Sequence, residues 1–395
     1  MKVLMVVQRY GRDVAGGAEQ LCRMYAQGLV ERDHGVDVLT TRAASYVDWA
    51  NFYPAGTEEL DGVRVHRLDV ARPRNHDVFG RLQERVVAGR KPVPYFLQRE
   101  WMRQQGPDVP ELAPWLERGA DSYDVVVFFT YLYNTTWTGL PLAARRVPTV
   151  LHPTAHDEAP IHLPLFDALF RHAHAFGFLT VEEVEFVEQR FRLRRPYRVL
   201  GVGVDLDPPG DAGEFRARFE LGERPYLLYV GRLDPHKGTE ELYDQFLAYK
   251  QRHPGPLALV YLGEPVKTMA AHPDVFVTGF VDDAARWSAL RGCRALVMPS
   301  WFESFSMALT EAWAVGRPAL VQQRSTVLAG QARRSGAAIP YRGFAEFEAA
   351  LDLLEEDPAL GARLGVAGRR FVETHYAWPD VLSRYERLLL TTARR

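Results

Sequence analysis

The sequence predicts an α/β protein built from two Rossmann-like domains facing a central cleft, and three observations carry that expectation. The chain has 395 residues, too many for one ordinary core and suited to two cores of about 150 to 200 residues each. It opens with an apolar run, a Gly-rich loop, a helix-periodic stretch and a second apolar run, the β-α-β start of a buried parallel sheet. After a Gly-, Pro- and Asp-rich stretch at 196–213, the best linker in the sequence, the same alternation begins again.

In chain order, "KVLMVV" (2–7) is the first strand, and Leu21, Met24, Tyr25, Gly28 and Leu29 recur at helical spacing after it. "VDVLTT" (36–41), "YDVVVFFT" (123–130) and "VPTVLH" (147–152) are further strands, and "TVEEVEFVEQRF" (180–191) is a helix. The second half reads as strand 226–231, helix 239–252, strands 257–263, 275–279 and 294–300, a helix opening near Ser306, and strand 317–322. The expected division is 1–200 and 201–377, with an amphipathic helix at 378–395 that packs back on the first domain. "GVGVDL" (201–206) has no third glycine and runs into no periodic helix, so it reads as a hinge turn rather than a dinucleotide loop.

Composition narrows the function. A hydrophobic share of 47% and a charged share of 25% describe a globular chain. With 48 basic side chains against 50 acidic ones, no nucleic-acid partner is expected. Cys22 and Cys293 are far apart in apolar settings, as reduced core thiols are. The first apolar run is too short for a signal peptide, and none reaches the roughly 18 residues of a membrane span. The expected location is cytoplasmic, with room for peripheral contact with a membrane.

"YVGRLDPHKGTEEL" (229–242) sets Arg232 and Lys237 between a strand end and a helix start. Two cations beside a helix N-terminus make a place for a diphosphate. "WFESFSMALTEAWAVGRP" (301–318) then adds two carboxylates, Glu303 in a loop and Glu311 about two turns into a helix. Carboxylates beside a diphosphate would repel it unless they accept hydrogen bonds from neutral hydroxyls, as sugars provide. On this reading Glu303 meets a hexose ring, Glu311 meets a ribose, and the backbone N–H groups of Phe305, Ser306 and Met307 meet phosphate oxygens. No Asp-x-Asp follows an apolar strand, so no metal is expected; "DLD" (205–207) lies in the hinge and Asp282 and Asp283 begin a helix.

"VGRLDPHKG", the run from "VFVTGFVDD" through "MPSWFESFSMALTEAWAVGRPALV", and the N-terminal "GGAE" together resemble glycosyltransferase family 4, of GT-B architecture. The likeness is close over 226–325 and looser before it. It implies a retaining, metal-independent transfer of a sugar from a UDP-, GDP-, ADP- or dTDP-sugar, with no further cofactor, to a hydroxyl acceptor such as a glycan, a glycolipid or a small molecule. The C-terminal domain would bind the nucleotide sugar and the N-terminal domain the acceptor. It implies that Arg232 and Lys237 bind the donor diphosphate, that Glu303 contacts donor-sugar hydroxyls at the reacting centre, and that Glu311 binds the ribose. Gly16 and Gly17 match a glycine loop at which missing Cβ atoms let the donor approach. His156, followed by Asp157, matches a catalytic His-Asp motif better than His152 does, and His152 stays open. Ser304 stands where the family has Gly, and Trp313, Ala314 and Val315 where it has Met-Ala-Cys.

Residues 72–103 hold eight basic and three acidic side chains among aromatics, which reads either as contact with a phosphate-bearing or lipid-linked acceptor or as a solvated helical face. "YLYNTTWTG" (131–139) reads as an acceptor-stacking stretch or as packing. A sugar-nucleotide epimerase of the same fold, a phosphorylase and a non-catalytic sugar-nucleotide sensor are the rival functions.

Overall fold

The computed structural model describes residues 1–14, 16–88, 92–266 and 269–394. Two compact units divide it: the first comprises Met1–Gly201 with the chain from Leu382 onward, and the second Val202–Val381.

The first unit is built on an eight-stranded sheet: β1 (Lys2–Val6), β2 (Gly35–Thr41), β3 (Gly56–Leu60), β4 (Val63–Leu68), β5 (Val125–Phe129), β6 (Thr149–His152), β7 (Ala175–Phe178) and β8 (Tyr197–Val199). Their spatial order is β3-β4-β2-β1-β5-β6-β7-β8. Every pairing is parallel except β3 with β4. β1, β5 and β6 are covered on both faces, which is why their sequences are continuous apolar runs rather than alternating ones. The antiparallel pair was missed from the sequence. Its turn is Asp61-Gly62, both at positive φ (54° and 76°), the Asp-Gly dipeptide that a two-residue hairpin favours.

The second unit holds β9 (Tyr226–Val230), β10 (Ala258–Leu262), β11 (Val275–Val277), β12 (Ala295–Met298), β13 (Ala319–Gln322) and β14 (Ala338–Tyr341). They are ordered β11-β10-β9-β12-β13-β14 and all parallel. The Gly- and Pro-rich stretch 196–213 is not all linker. β8 pairs with β7 inside it, and a helix begins at Ala212 with the Asp211 side chain as its cap. Only the middle of the stretch connects the units.

The helix Trp378–Ala393 starts in the second unit and ends in the first. There Leu382 lies where a Cβ on Gly28 would be, 2.6 Å from it, and Tyr385 stacks on Tyr25 with ring centroids 4.3 Å apart. Cys22 and Cys293 are buried, unpaired thiols whose ionisation burial opposes. Among the described residues, no helix is long and apolar enough to cross a membrane.

Candidate functional site

In each sheet the strand order reverses beside the unit's first strand. β1 lies between β2 and β5, and β9 between β10 and β12. Open parallel sheets bind ligands outside the carboxyl ends of the strands at such a reversal, where adjacent loops diverge. The loops after β1, β5, β9 and β12 are therefore where chemistry is to be sought, and most of the residues singled out from the sequence lie on them.

In the second unit the loop after β9 runs from Gly231 to Gly238. Asp234 caps a single 3-10 turn there, its carboxylate accepting from the His236 N–H at 3.0 Å. Arg232 is held by Asp234 at 3.1 Å. Gly238 has φ of 73°, and a Cβ on it would stand 2.5 Å from the Pro299 carbonyl, so the loop after β9 meets the loop after β12 backbone to backbone. Across that contact Lys237 Nζ donates to Glu303 Oε1 at 2.8 Å. Glu303 Oε2 has no hydrogen-bond partner among the described residues.

Beyond Glu303 the chain turns through Ser306, at φ 75°, into the helix Met307–Ala314. Ser306 is buried and its Oγ has no partner. The Gln331 amide holds the Phe305 carbonyl, and among the described residues no backbone carbonyl takes the N–H groups of Phe305, Ser306 or Met307. These donors project at the positive end of a helix dipole. Glu311 lies inside that helix, and Arg286, a residue the sequence reading passed over, binds its Oε1. The two glutamates thus share an arrangement: each gives its Oε1 to a cation, and among the described residues no hydrogen bond takes the other oxygen. A carboxylate so neutralised is suited to accept from a hydroxyl beside an anion.

In the first unit the glycine loop is organised from within. Glu19, in the first turn of the helix Gly17–Val30, accepts from Gln8 Nε2 at 2.8 Å and from Arg9 Nε at 2.9 Å, and the Arg9 and Glu19 side chains are each only 5% exposed. A Cβ on Gly16, at φ 154°, would stand 2.3 Å from the Glu19 carboxylate, whereas a Cβ on Gly17 would meet nothing within 4 Å. Gly16 therefore has an internal reason to be glycine, and Gly17 has none in the protein itself.

The structure separates the two histidines. His152 ends β6 fully buried, stacked on Phe129 at 4.8 Å, with the Tyr385 ring at 5.3 Å and the Tyr25 ring at 5.6 Å. Burial pushes its pKa down to about 3, so it is a neutral core residue. His156 lies half-buried in the loop beyond. Its Nδ1 is 3.7 Å from Glu158 Oε1, which accepts from the Tyr131 hydroxyl at 2.7 Å. The buried Glu183 takes the Ala155 and Leu179 N–H groups, both at 2.7 Å, and so fixes the residue before His156. Desolvation raises the Glu183 pKa to about 8 against the pull of those two donors.

Two further expectations meet the structure differently. In "YLYNTTWTG", Tyr131 and Trp137 pack into the core of the unit, and Tyr133 meets Trp49 edge-on at 5.3 Å. Of the basic segment 72–103, residues 89–91 lie outside the described residues. The rest exposes Tyr95 and Phe96 and buries Trp101. Among the described residues, no three His, Cys, Asp or Glu side chains form a metal-sized group.

Two parallel sheets, each with its polar loops at the strand reversal, have the build of a GT-B glycosyltransferase. The family model described as "Glycosyl transferases group 1" matches residues 224–357, and that stretch is a group 1 glycosyltransferase domain. The chain is 25% identical to the glycogen synthase of Mycobacterium tuberculosis over 100% of this chain and 95% of that protein. It is 30% identical to the D-inositol 3-phosphate glycosyltransferase of Frankia alni over 43% of this chain and 48% of that one. Among solved structures, sucrose-phosphate synthase of Thermosynechococcus elongatus superposes with TM-score 0.73 at 17% identity, covering 99% of each chain. HepE of Anabaena, solved with UDP-glucose, gives 0.71 at 16% identity, covering 99% of this chain and 100% of that one. The GT-B fold extends over the whole chain.

Proposed function

We propose that this glycosyltransferase belongs to family 4 and moves a sugar, with retention, from a nucleotide-diphosphate sugar bound on the second unit to a hydroxyl of an acceptor bound on the first. The observation that carries the reading is the Lys237–Glu303 contact across the β9/β12 reversal, 2.8 Å long, beside a helix N-terminus with unused donors. A neighbour of the same fold was solved with UDP-glucose, which supports a donor of this class.

The charges suggest how the site would work. A diphosphate arriving at the helix N-terminus offers Lys237 a stronger partner than one carboxylate oxygen. The ammonium then shifts toward phosphate, and Glu303 is released to accept from the donor sugar's hydroxyls. Arg232 and the N–H groups of Phe305, Ser306 and Met307 supply further donors in fixed positions. Charge building on the leaving diphosphate is met by groups already oriented, which is usually the largest catalytic term. Glu311 Oε2 is left for the ribose, with Arg286 holding the carboxylate in place. On the acceptor side His156, with Glu158 beside its Nδ1, lies next to the incoming hydroxyl, and a leaving phosphate oxygen takes the proton.

A thermal-shift screen against UDP-, GDP-, ADP- and dTDP-sugars tests this directly. A donor present at 100 times its dissociation constant adds about 2.7 kcal/mol to the unit that binds it. One of the four is expected to give that shift and to lose it in Glu303→Ala, and no shift with any of them would sink the reading.

A further inference from the structure

Of the tryptophans in the chain, Trp301 alone is exposed, at 40%, and the others are buried or half-buried. It stands on the loop after β12, two residues before Glu303. The loop does not let it hang free. Ser300 Oγ donates to the Phe302 carbonyl at 3.1 Å and so fixes the turn on which the indole stands. Trp301 Nε1 donates to Glu241 Oε2 at 3.2 Å, in the first turn of the helix Thr239–Arg252. That carboxylate is held in turn by Gln245, whose Nε2 donates to its Oε1 at 3.1 Å.

Arg324, on the loop after β13, lies against the ring with its guanidinium carbon 4.2 Å from the centroid. Its backbone N–H donates to Oε1 of the buried Gln322 at 3.2 Å, and Ser325 then caps the helix Thr326–Ser335. Among the described residues Arg324 has no carboxylate within ion-pair distance, and no aromatic ring packs on Trp301. The protein thus uses one face and the N–H edge of the indole and leaves water on a large apolar surface. A ring needed for the core would be buried, as Trp313 is. A ring kept only for Arg324 would gain little, because an exposed cation–π contact stabilises weakly. A pyranose has the complementary build: its axial C–H bonds form an apolar, slightly positive face that suits the negative face of an indole, and its hydroxyls lie around the rim. Beside Trp301 stand a carboxylate that accepts and a guanidinium that donates, the two kinds of group that hydroxyls use. A phosphate would be repelled by Glu241, and a hydrocarbon would have no use for either charge.

We propose that Trp301, bordered by Glu241 and Arg324, is a carbohydrate-stacking subsite on the second unit that takes a neutral hexose residue of a glycan acceptor. The three side chains come from the segments that follow β9, β12 and β13, along the edge of the sheet that carries Lys237 and Glu303. The donor contacts assigned above use none of them, so the subsite is separate from the nucleotide sugar. Its assignment to the acceptor rests on the glycosyl-transfer reading above, whereas the stacking of a neutral glycan on the ring does not.

The test is affinity electrophoresis of the full chain in native gels containing soluble amylopectin, dextran, hydroxyethyl cellulose or mannan, with no nucleotide sugar present. At least one of these glycans should retard the parent, and migration against polymer concentration gives the affinity. Trp301→Ala should weaken that affinity at least about tenfold, while the thermal shift given by the nucleotide sugar stays at the parent's value. Retardation of the parent by none of the glycans, or equal retardation of Trp301→Ala, overturns the subsite. Loss of the nucleotide-sugar shift together with the retardation would make Trp301 part of the donor site and likewise overturn it. A parent retarded by a glycan but shifted by no nucleotide sugar would instead strike the donor reading and leave the subsite standing. Should Trp301→Ala not fold, the parent supplies the answer. N-bromosuccinimide oxidises exposed indoles first, and the retarding glycan should slow the oxidation of Trp301 several-fold, read by peptide mapping. Oxidation at an unchanged rate overturns the proposal.

Discussion

The two units have the same plan and use charge in opposite ways. At the reversal in the first unit the ion pair Arg9–Glu19 is sealed, 5% exposed on each side, with Gln8 packed into it. At the reversal in the second unit the pair Lys237–Glu303 is open, with the lysine side chain 36% exposed and, among the described residues, no hydrogen bond to the second carboxylate oxygen. A sealed pair cannot exchange partners without stranding a charge, whereas an open one can. The first therefore shapes a loop, and the second is free to trade its contact for a ligand.

The largest expected effect breaks the sealed pair. Glu19→Ala leaves Arg9 buried without its carboxylate, with the Ala44 carbonyl still accepting from Nη1, and should cost about 3–5 kcal/mol of stability in chemical denaturation. A cost below about 1 kcal/mol would mean the loop is looser than described. Glu303→Ala and Lys237→Ala should each cost less than about 1 kcal/mol, because solvent screens the open pair. They should still weaken nucleotide-sugar binding by about 1.5–3 kcal/mol, read by calorimetric titration.

Acidity sharpens the contrast inside the first unit. His152 has its pKa lowered from 6.5 to about 3, so the unfolded chain binds its proton first, and stability is lost as pH falls below 6.5 toward 3. Glu183 has its pKa raised from 4.5 to about 8, so the folded state keeps that proton longer, and stability is lost as pH rises from 4.5 through 8. Each slope approaches roughly 1.4 kcal/mol per pH unit where one state alone is protonated. They oppose each other between pH 4.5 and 6.5. Glu183→Gln should remove the loss above pH 6.5, visible as a flatter melting temperature between pH 6.5 and 8. An unchanged slope there would place the titration elsewhere.

The smallest effect concerns two glycines. Gly17→Ala meets open space and should leave stability within about 1 kcal/mol of the parent. If the donor approaches that backbone, turnover falls while the melting temperature holds. Gly238→Ala drives a Cβ at the Pro299 carbonyl and should lower both together.

The sequence displayed what is local. Continuous apolar runs marked β1, β5, β6, β9, β10 and β12 because strands covered on both faces have no polar positions to confuse the pattern. Arg232, Lys237, Glu303 and the helix start at Ser306 were readable because they flank those strands. What escaped depends on meetings across the chain. Arg286 reaches Glu311 from another helix, and Glu19 was only a letter in "GGAE" until Gln8 and Arg9 turned toward it. His152 is placed in the core by Tyr385, 233 positions later in the chain. The hairpin at Asp61-Gly62 did carry a local signal and was overlooked.

That late partner has a consequence for synthesis. The second unit is one uninterrupted stretch, Val202–Val381, so its contacts need no segment from outside it. The first unit, though translated earlier, lacks Leu382 against Gly28 and Tyr385 against Tyr25 and His152 until the final helix emerges. The half made first is completed last, and its unfinished surface around Tyr25 is what a nascent-chain chaperone would meet.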